Sequence, residues 1–230
     1  MDAQQDPTAF QEAVTHQHWC DAINTELEAL ERNGTWSLTK LPKGKKAIGC
    51  KWLYKTKYHP DGSIERHKAR LVIQGYRQQK GIDYEETFAP VVEMTTVIYV
   101  LTVAAIKGWH LCQMDVTNAF LHGELDGEIY MKLPQGYKGE GEPILCASHN
   151  PISATFPPHT VYRLHKSLYG LKQAPRQWFS KLTSSLLVFG FQQSKAYYSL
   201  FTQHTSHGYI AVLVYVDDML ITGDNIQLIN

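Results

Sequence analysis

Two adjacent aspartates, Asp217 and Asp218, interrupt an otherwise apolar run over Tyr209–Thr222 (Y-I-A-V-L-V-Y-V-D-D-M-L-I-T). Ionised carboxylates side by side in such surroundings are costly, because desolvation and mutual repulsion both oppose the charged form. Exposure in a turn relieves that cost, and so does a divalent cation. A third carboxylate, Asp115, follows Leu111, Cys112 and Met114 at the end of another short apolar stretch, within Gly108–Gly123 (G-W-H-L-C-Q-M-D-V-T-N-A-F-L-H-G). Taken singly, each aspartate is an ordinary turn or cap residue. If the strands are neighbours, the three make a cluster of hard oxygen ligands. Such a set suits magnesium, which takes one or two carboxylates together with substrate phosphates.

The residues flanking Asp217 and Asp218 are β-branched and aliphatic, and Gly208 and Gly223 bracket them. They read as two buried strands joined by a tight turn. Upstream, Phe10, Ala13, Val14, Trp19, Ile23, Leu27 and Leu30 recur near helical spacing. That predicts one helix over 8–32, stopped by Asn33-Gly34. The stretch 36–58 has strand character with Ile48, Trp52 and Tyr54 inward, His59-Pro-Asp-Gly62 is a hairpin turn, and 64–76 returns as a second strand. Pro90 breaks the chain, and 94–107 reads as a buried helix ended by Gly108. A strand is expected over 128–133, and 135–160, rich in Gly, Pro, Ser and His, reads as a long surface loop. A helix from Lys172 or Pro175 to Val188 places Trp178, Leu182 and Leu186 on one stripe. Strands and helices mix without strict alternation, so the expected class is α+β.

A chain of 230 residues, 43% hydrophobic, holds one large domain or two small ones with a sizeable core. No apolar stretch reaches transmembrane length, and the polar, acidic start is unlike a secretory signal. Cys20, Cys50, Cys112 and Cys146 show no paired spacing, which fits buried thiols in a reducing compartment better than disulfides. His16, His18 and Cys20 lack the second half of a zinc site. Net charge is zero, but its distribution is uneven. Between Lys40 and Lys80 stand twelve lysines and arginines against two acids, a surplus of ten. That stretch is basic enough to attract a phosphate backbone; the alternative is a solvated charged face.

Five ordered segments carry a family resemblance: 52–78, 84–92 (Y-E-E-T-F-A-P-V-V), Met114–Gly123, 168–178 (L-Y-G-L-K-Q-A-P-R-Q-W) and Y-V-D-D at Tyr215–Asp218. Together they resemble the fingers and palm of copia-type (Ty/copia) LTR-retrotransposon reverse transcriptases. The resemblance covers roughly 8–230 in collinear order. It implies a right-hand polymerase fold, with an N-terminal helical lead-in over 1–35, basic fingers over 36–90 and palm over 91–230. It also implies that the chain ends before a thumb and RNase H domain, as a piece of a polyprotein.

The implied activity is RNA-directed DNA polymerisation, a nucleotidyl transfer supported by two magnesium ions, with manganese as a substitute. Asp115, Asp217 and Asp218 would be the metal-binding catalytic residues, Asp217 closer than Asp218, with the Val116 carbonyl as an extra ligand. Phe120, five residues after Asp115, would exclude a ribose 2′-hydroxyl, or is an ordinary core aromatic. Lys68 and Arg70 resemble a triphosphate clamp, and spacing leaves open which of them is the direct contact. Gly170, Lys172 and Gln173 belong to the segment that supports the incoming base pair. The similar-looking Leu133–Gly139 (L-P-Q-G-Y-K-G) is read as strand end and loop. Implied partners are an RNA or DNA template with primer, deoxynucleoside triphosphates and the remaining parts of the polyprotein, with no membrane. The implied location is intracellular, a cytoplasmic virus-like particle or the nucleus. Ile98 and Tyr197 depart from the family's usual Arg and Asp. The competing reading is an inactive retrotransposon-derived fragment that only binds nucleic acid through 40–80.

Overall fold

The computed structural model describes residues 5–142, 144, 146 and 156–229. The elements in chain order are α1 (Phe10–Ala13), α2 (Gln17–Arg32), β1 (Trp36–Lys40), β2 (Ala47–Ile48), β3 (Cys50–Tyr58), β4 (Ile64–Ile73), α3 (Met94–Lys107), β5 (His110–Asp115), β6 (Glu124–Met131), β7 (Thr160–Lys166), α4 (Ala174–Val188), β8 (Gln192–Gln193), β9 (Leu200–Thr205), β10 (Gly208–Tyr215) and β11 (Asp218–Gly223). Contacts divide the chain into two compact units, one of residues 1–85 with 125–172, the other of 86–124 with 173–230. The chain passes from one unit to the other more than once, because 125–172 returns to the first unit. No helix among the described residues is long and apolar enough to cross a membrane.

In the first unit β3 and β4 form an antiparallel ribbon around the turn at 59–62, where Gly62 has φ +84°. Side chains alternate across a strand, so Trp52, Tyr54, Ala69, Leu71 and Ile73 line one buried face. Helix α2 packs on β4 and presents Trp19, Ile23, Leu27 and Leu30 at helical spacing. The opposite face of the ribbon carries Lys51, Lys55, Lys57, Arg66, Lys68 and Arg70. A second sheet, in the order β1-β7-β6-β2, stacks Trp36 on Tyr162 at 4.3 Å between ring centres.

The second unit is a five-stranded sheet in the order β5-β11-β10-β9-β8. Phe201, Ile210, Val212, Val214, Met219 and Ile221 meet Phe179, Leu182 and Leu186 of α4. Leu213 and Leu220 point to the other face, with Val92, Val97 and Val100. Because β10 is covered on both faces, its sequence is an unbroken apolar run rather than an alternation.

Five expectations need correction. The helix over 8–32 is two helices, separated at Val14–His16; Val14 and Thr15 are β-branched, and the Thr15 hydroxyl donates to the Glu12 carbonyl at 2.6 Å, diverting the chain. Helix α3 has the expected bounds and ends at Gly108 (φ +61°), but it is not buried throughout. Thr96, Val100 and Ala104 are buried and Val97 is half-buried against the sheet, while Tyr99 and Ile106 are 67% and 78% exposed. The strand expected over 128–133 is Glu124–Met131. The returning strand expected over 64–76 stops at Ile73, where the chain turns into a short 3₁₀ segment, Gly75–Arg77. Finally, Cys20 and Cys146 form a disulfide, Cys112 is exposed and Cys50 half-buried. The pairing joins residues 126 apart, beyond the reach of local spacing. The segment that brings Cys146 to α2 is held there by Asn24, whose side chain accepts from the Ile144 amide at 2.7 Å and donates to its carbonyl at 3.0 Å. Of the loop expected over 135–160, residues 143, 145 and 147–155 lie outside the described residues.

Candidate active site

The aspartates are placed by the β10–β11 hairpin and the edge strand β5. β10 and β11 pair antiparallel up to Tyr215 opposite Asp218, leaving Val216 and Asp217 as a two-residue turn. Hairpins this tight need φ > 0 at the first turn residue, a position where glycine is usual. Here Val216 holds φ +56° despite its branched side chain. Two hydrogen bonds fix the strained turn: the Trp178 indole donates to the Val216 carbonyl at 2.7 Å, and the Val116 amide donates to the Asp217 carbonyl at 2.8 Å.

β5 pairs antiparallel with β11, and Asp115 stands directly opposite Asp218. Directly opposed residues share a face of the sheet, with β-carbons about 4.5–5.5 Å apart. Asp217 is the neighbouring turn residue, tied through its carbonyl to the residue after Asp115. Asp115 and Asp217 are exposed and Asp218 half-buried. The Gln113 amide donates to Asp218 Oδ1 at 3.3 Å. The three carboxylates thus come from sequence positions about a hundred residues apart to one edge of one sheet. Their donor type and their access to water suit a hard cation. No group of three or more His, Cys, Asp or Glu side chains among the described residues is drawn together as a metal site.

Phe120 is half-buried in a short 3₁₀ segment, Ala119–His122, that packs on α4 in the same unit. Its approach explains Gly123: a β-carbon there would lie 2.8 Å from both Gln177 Cβ and the Trp178 nitrogen. Gln173 is buried at the start of α4, also in this unit.

The remaining sequence-predicted residues belong to the first unit. Lys68 and Arg70 sit two apart on the solvent-facing side of β4. The Arg70 guanidinium lies over the Tyr169 ring, 4.7 Å from its centre, and the Ile73 amide donates to the Tyr169 carbonyl at 2.8 Å. Burial lowers the Lys68 ammonium below the ordinary lysine value, and the nearby Arg70 and Arg66 push the same way, opposed by Glu26. Gly170 has φ +93° and packs against Val72 and Ile73, so close that no β-carbon fits. The Lys172 amide donates to Gln78 Oε1 at 2.9 Å, and its ammonium reaches the Tyr84 hydroxyl at 3.3 Å.

Sequence reasoning did not anticipate Trp178 as the lock on the aspartate turn, Tyr169 beneath Arg70, or Glu26 beside β4. Trp178 and Tyr169 both lie in the 168–178 segment already singled out, whereas Glu26 shows only as a charge on an apolar stripe.

The model of the family described as "Reverse transcriptase (RNA-dependent DNA polymerase)" matches residues 33–230. The chain is 41% identical over 234 residues to the retrovirus-related Pol polyprotein from transposon TNT 1-94 of Nicotiana tabacum, covering 97% of this chain and 16% of that protein. It is 40% identical over 229 and 228 residues to the corresponding polyproteins from transposons RE1 and RE2 of Arabidopsis thaliana, covering 99% of this chain and 15% of each. The chain therefore spans roughly a sixth of the length of these curated relatives.

Proposed function

Given that the chain belongs to the reverse transcriptase (RNA-dependent DNA polymerase) family, in the copia-type form of transposon Pol polyproteins, we propose that it adds deoxynucleotides to a primer paired with an RNA or DNA template. The observation that carries this reading is the register of β5 with the aspartate hairpin, which sets Asp115 across from Asp218 with Asp217 beside them.

In this reading Asp115, Asp217 and Asp218, with the Val116 carbonyl, hold two magnesium ions. Bound there, the ions supply a lowered pKa for the primer 3′-hydroxyl and neutralisation of the triphosphate. The protein's own contribution is alignment. Trp178 and Val116 fix the turn that presents the carboxylates. Phe120 packs against the sugar and disfavours a 2′-hydroxyl. Lys68 and Arg70 bind the β- and γ-phosphates, and Arg70, held on Tyr169, is the better oriented for a forked contact. Gly170, Lys172 and Gln173 support the incoming base pair. Lysines and arginines crowd the solvent face of the β3–β4 ribbon, where Lys55 opposes Lys68 and Lys57 opposes Arg66. Asp6 pairs with Lys55 at 3.6 Å and Glu65 with Arg66 at 3.5 Å, and the cations left in surplus make this the face that takes the nucleic-acid backbone. The fingers and palm of the family correspond to the ribbon-bearing and aspartate-bearing parts, and the rest of such a polyprotein supplies the partner domains.

Single-nucleotide addition to a primer–template with magnesium or manganese tests the reading. Extension by the wild-type chain, abolished in Asp115→Asn and Asp217→Asn proteins that still fold, is the expected result. Salt-sensitive RNA binding without extension under any of these conditions would favour a binding fragment instead.

A further inference from the structure

Gln78 is only 4% exposed. A buried amide side chain is costly unless its hydrogen bonds are made, and an apolar side chain would fill the space without that cost. Both ends of Lys172 meet this residue. The Lys172 amide donates to Gln78 Oε1 at 2.9 Å, and the Lys172 ammonium donates to the Gln78 carbonyl at 3.5 Å. The same ammonium lies over the Tyr84 ring, 5.2 Å from its centre, and reaches the Tyr84 hydroxyl at 3.3 Å. Tyr84 is brought back beside Lys80 by a closed turn. In it the Gly81 amide donates to the Tyr84 carbonyl at 2.8 Å and the Gln79 amide to Asp83 Oδ2 at 2.8 Å. Just upstream the same two segments are already joined. The Ile73 amide donates to the Tyr169 carbonyl, Gly75 meets the Gly170 carbonyl, and Gly170 meets Ile73, so closely that a β-carbon fits at neither glycine. All of these residues belong to the first unit. Of the ties between 73–78 and 169–172, the one through the Gln78 side chain is the one that fixes Lys172.

We propose that Gln78 is a positioning residue for the incoming deoxynucleotide, setting the Lys172 backbone and ammonium that support the new base pair. The inference rests on the reading of Gly170 and Lys172 given above. A purely structural role makes a different forecast: loss of the side chain lowers the melting temperature and leaves the nucleotide affinity of the folded protein unchanged. Positioning predicts a selective loss of affinity, because Lys172 keeps its charge but loses its fixed place. An acceptor held at the same reach preserves that place, so glutamate substitutes for Gln78 and asparagine, one methylene shorter, does not.

The test is single-nucleotide addition by the whole chain with magnesium, measuring kcat and KM for the complementary deoxynucleoside triphosphate. Equilibrium binding of the same nucleotide to the chain on a dideoxy-terminated primer–template gives a readout that needs no turnover. Wild type is compared with Gln78→Met, Gln78→Asn, Gln78→Glu and Lys172→Ala. The expected result in Gln78→Met is a KM and a Kd raised by roughly fivefold or more, with little change in kcat and recovery in Gln78→Glu. Gln78→Asn gives the same answer if the methionine variant does not fold. Wild-type affinity in a folded Gln78→Met or Gln78→Asn protein overturns the inference, as does an equal loss in Gln78→Glu; weakened binding in Lys172→Ala then leaves the nucleotide-support reading standing. A Lys172→Ala protein that binds the nucleotide like wild type removes that reading, and the inference with it. A wild-type chain that neither extends the primer nor binds the nucleotide overturns the proposed function as a whole.

Discussion

Asp115, the last residue of β5, and Asp218, the first of β11, face each other across an antiparallel ladder. The relationship is one of register, so a one-residue slip would put them on opposite faces of the sheet. Thr222 guards the far end of the same ladder, its hydroxyl donating to the His110 carbonyl at 2.7 Å.

The turn between the strands depends on Trp178. Trp178→Phe keeps the ring packing but removes the donor to the Val216 carbonyl. It is expected to cost about 1–2 kcal/mol of stability, measured by denaturant unfolding. Primer extension should fall more than the lost folded fraction accounts for.

Gly123→Ala should be destabilising by about 1–3 kcal/mol through overpacking, because its β-carbon meets the backbone at Trp178. Gly127→Ala, where a β-carbon meets nothing, is the control and should fall within about 0.5 kcal/mol of wild type.

Glu26 gives stability a pH dependence of known sign. Burial raises it in the folded chain, so the folded state binds the proton more readily than the unfolded one. The cost of keeping it charged is therefore present above the raised value and disappears as pH falls through it towards the ordinary carboxylate range. The melting-temperature gap between Glu26→Gln and wild type should be larger at neutral pH than at pH near the ordinary carboxylate value of about 4.3. A gap independent of pH would contradict this.

Thiol reactivity should follow burial. Cys112 is exposed, while burial pushes the Cys50 thiol up to about 12. Without reductant, only Cys112 should alkylate quickly in the folded chain. Reduction, or Cys20→Ser, should free Cys146 from α2 and cost about 2–5 kcal/mol, read by thermal unfolding.

Much of this arrangement is legible in the residues themselves. The apolar run of β10 announces a strand covered on both faces, and Gly108 marks the end of α3 because a left-handed residue must follow it. What escapes is whatever depends on a partner distant in sequence. The apolar composition of α3 cannot say which side of the helix meets the sheet, and Tyr99 and Ile106 turn out to face solvent. The spacing of Cys20 and Cys146 carries no hint of a bond made through Asn24 and Ile144. That Asp218 rather than Asp217 pairs with Asp115 follows from the length of the turn at Val216-Asp217, which a strand's alternation alone does not fix.

The central claim is that the two strands bring three carboxylates together around divalent ions. Manganese binding, followed by electron paramagnetic resonance of the folded chain with primer–template and deoxynucleotide, tests it most directly. Wild type should bind, and Asp115→Asn and Asp217→Asn should each weaken binding by roughly tenfold or more while melting at the wild-type temperature. Equal manganese affinity in all three proteins would contradict the account.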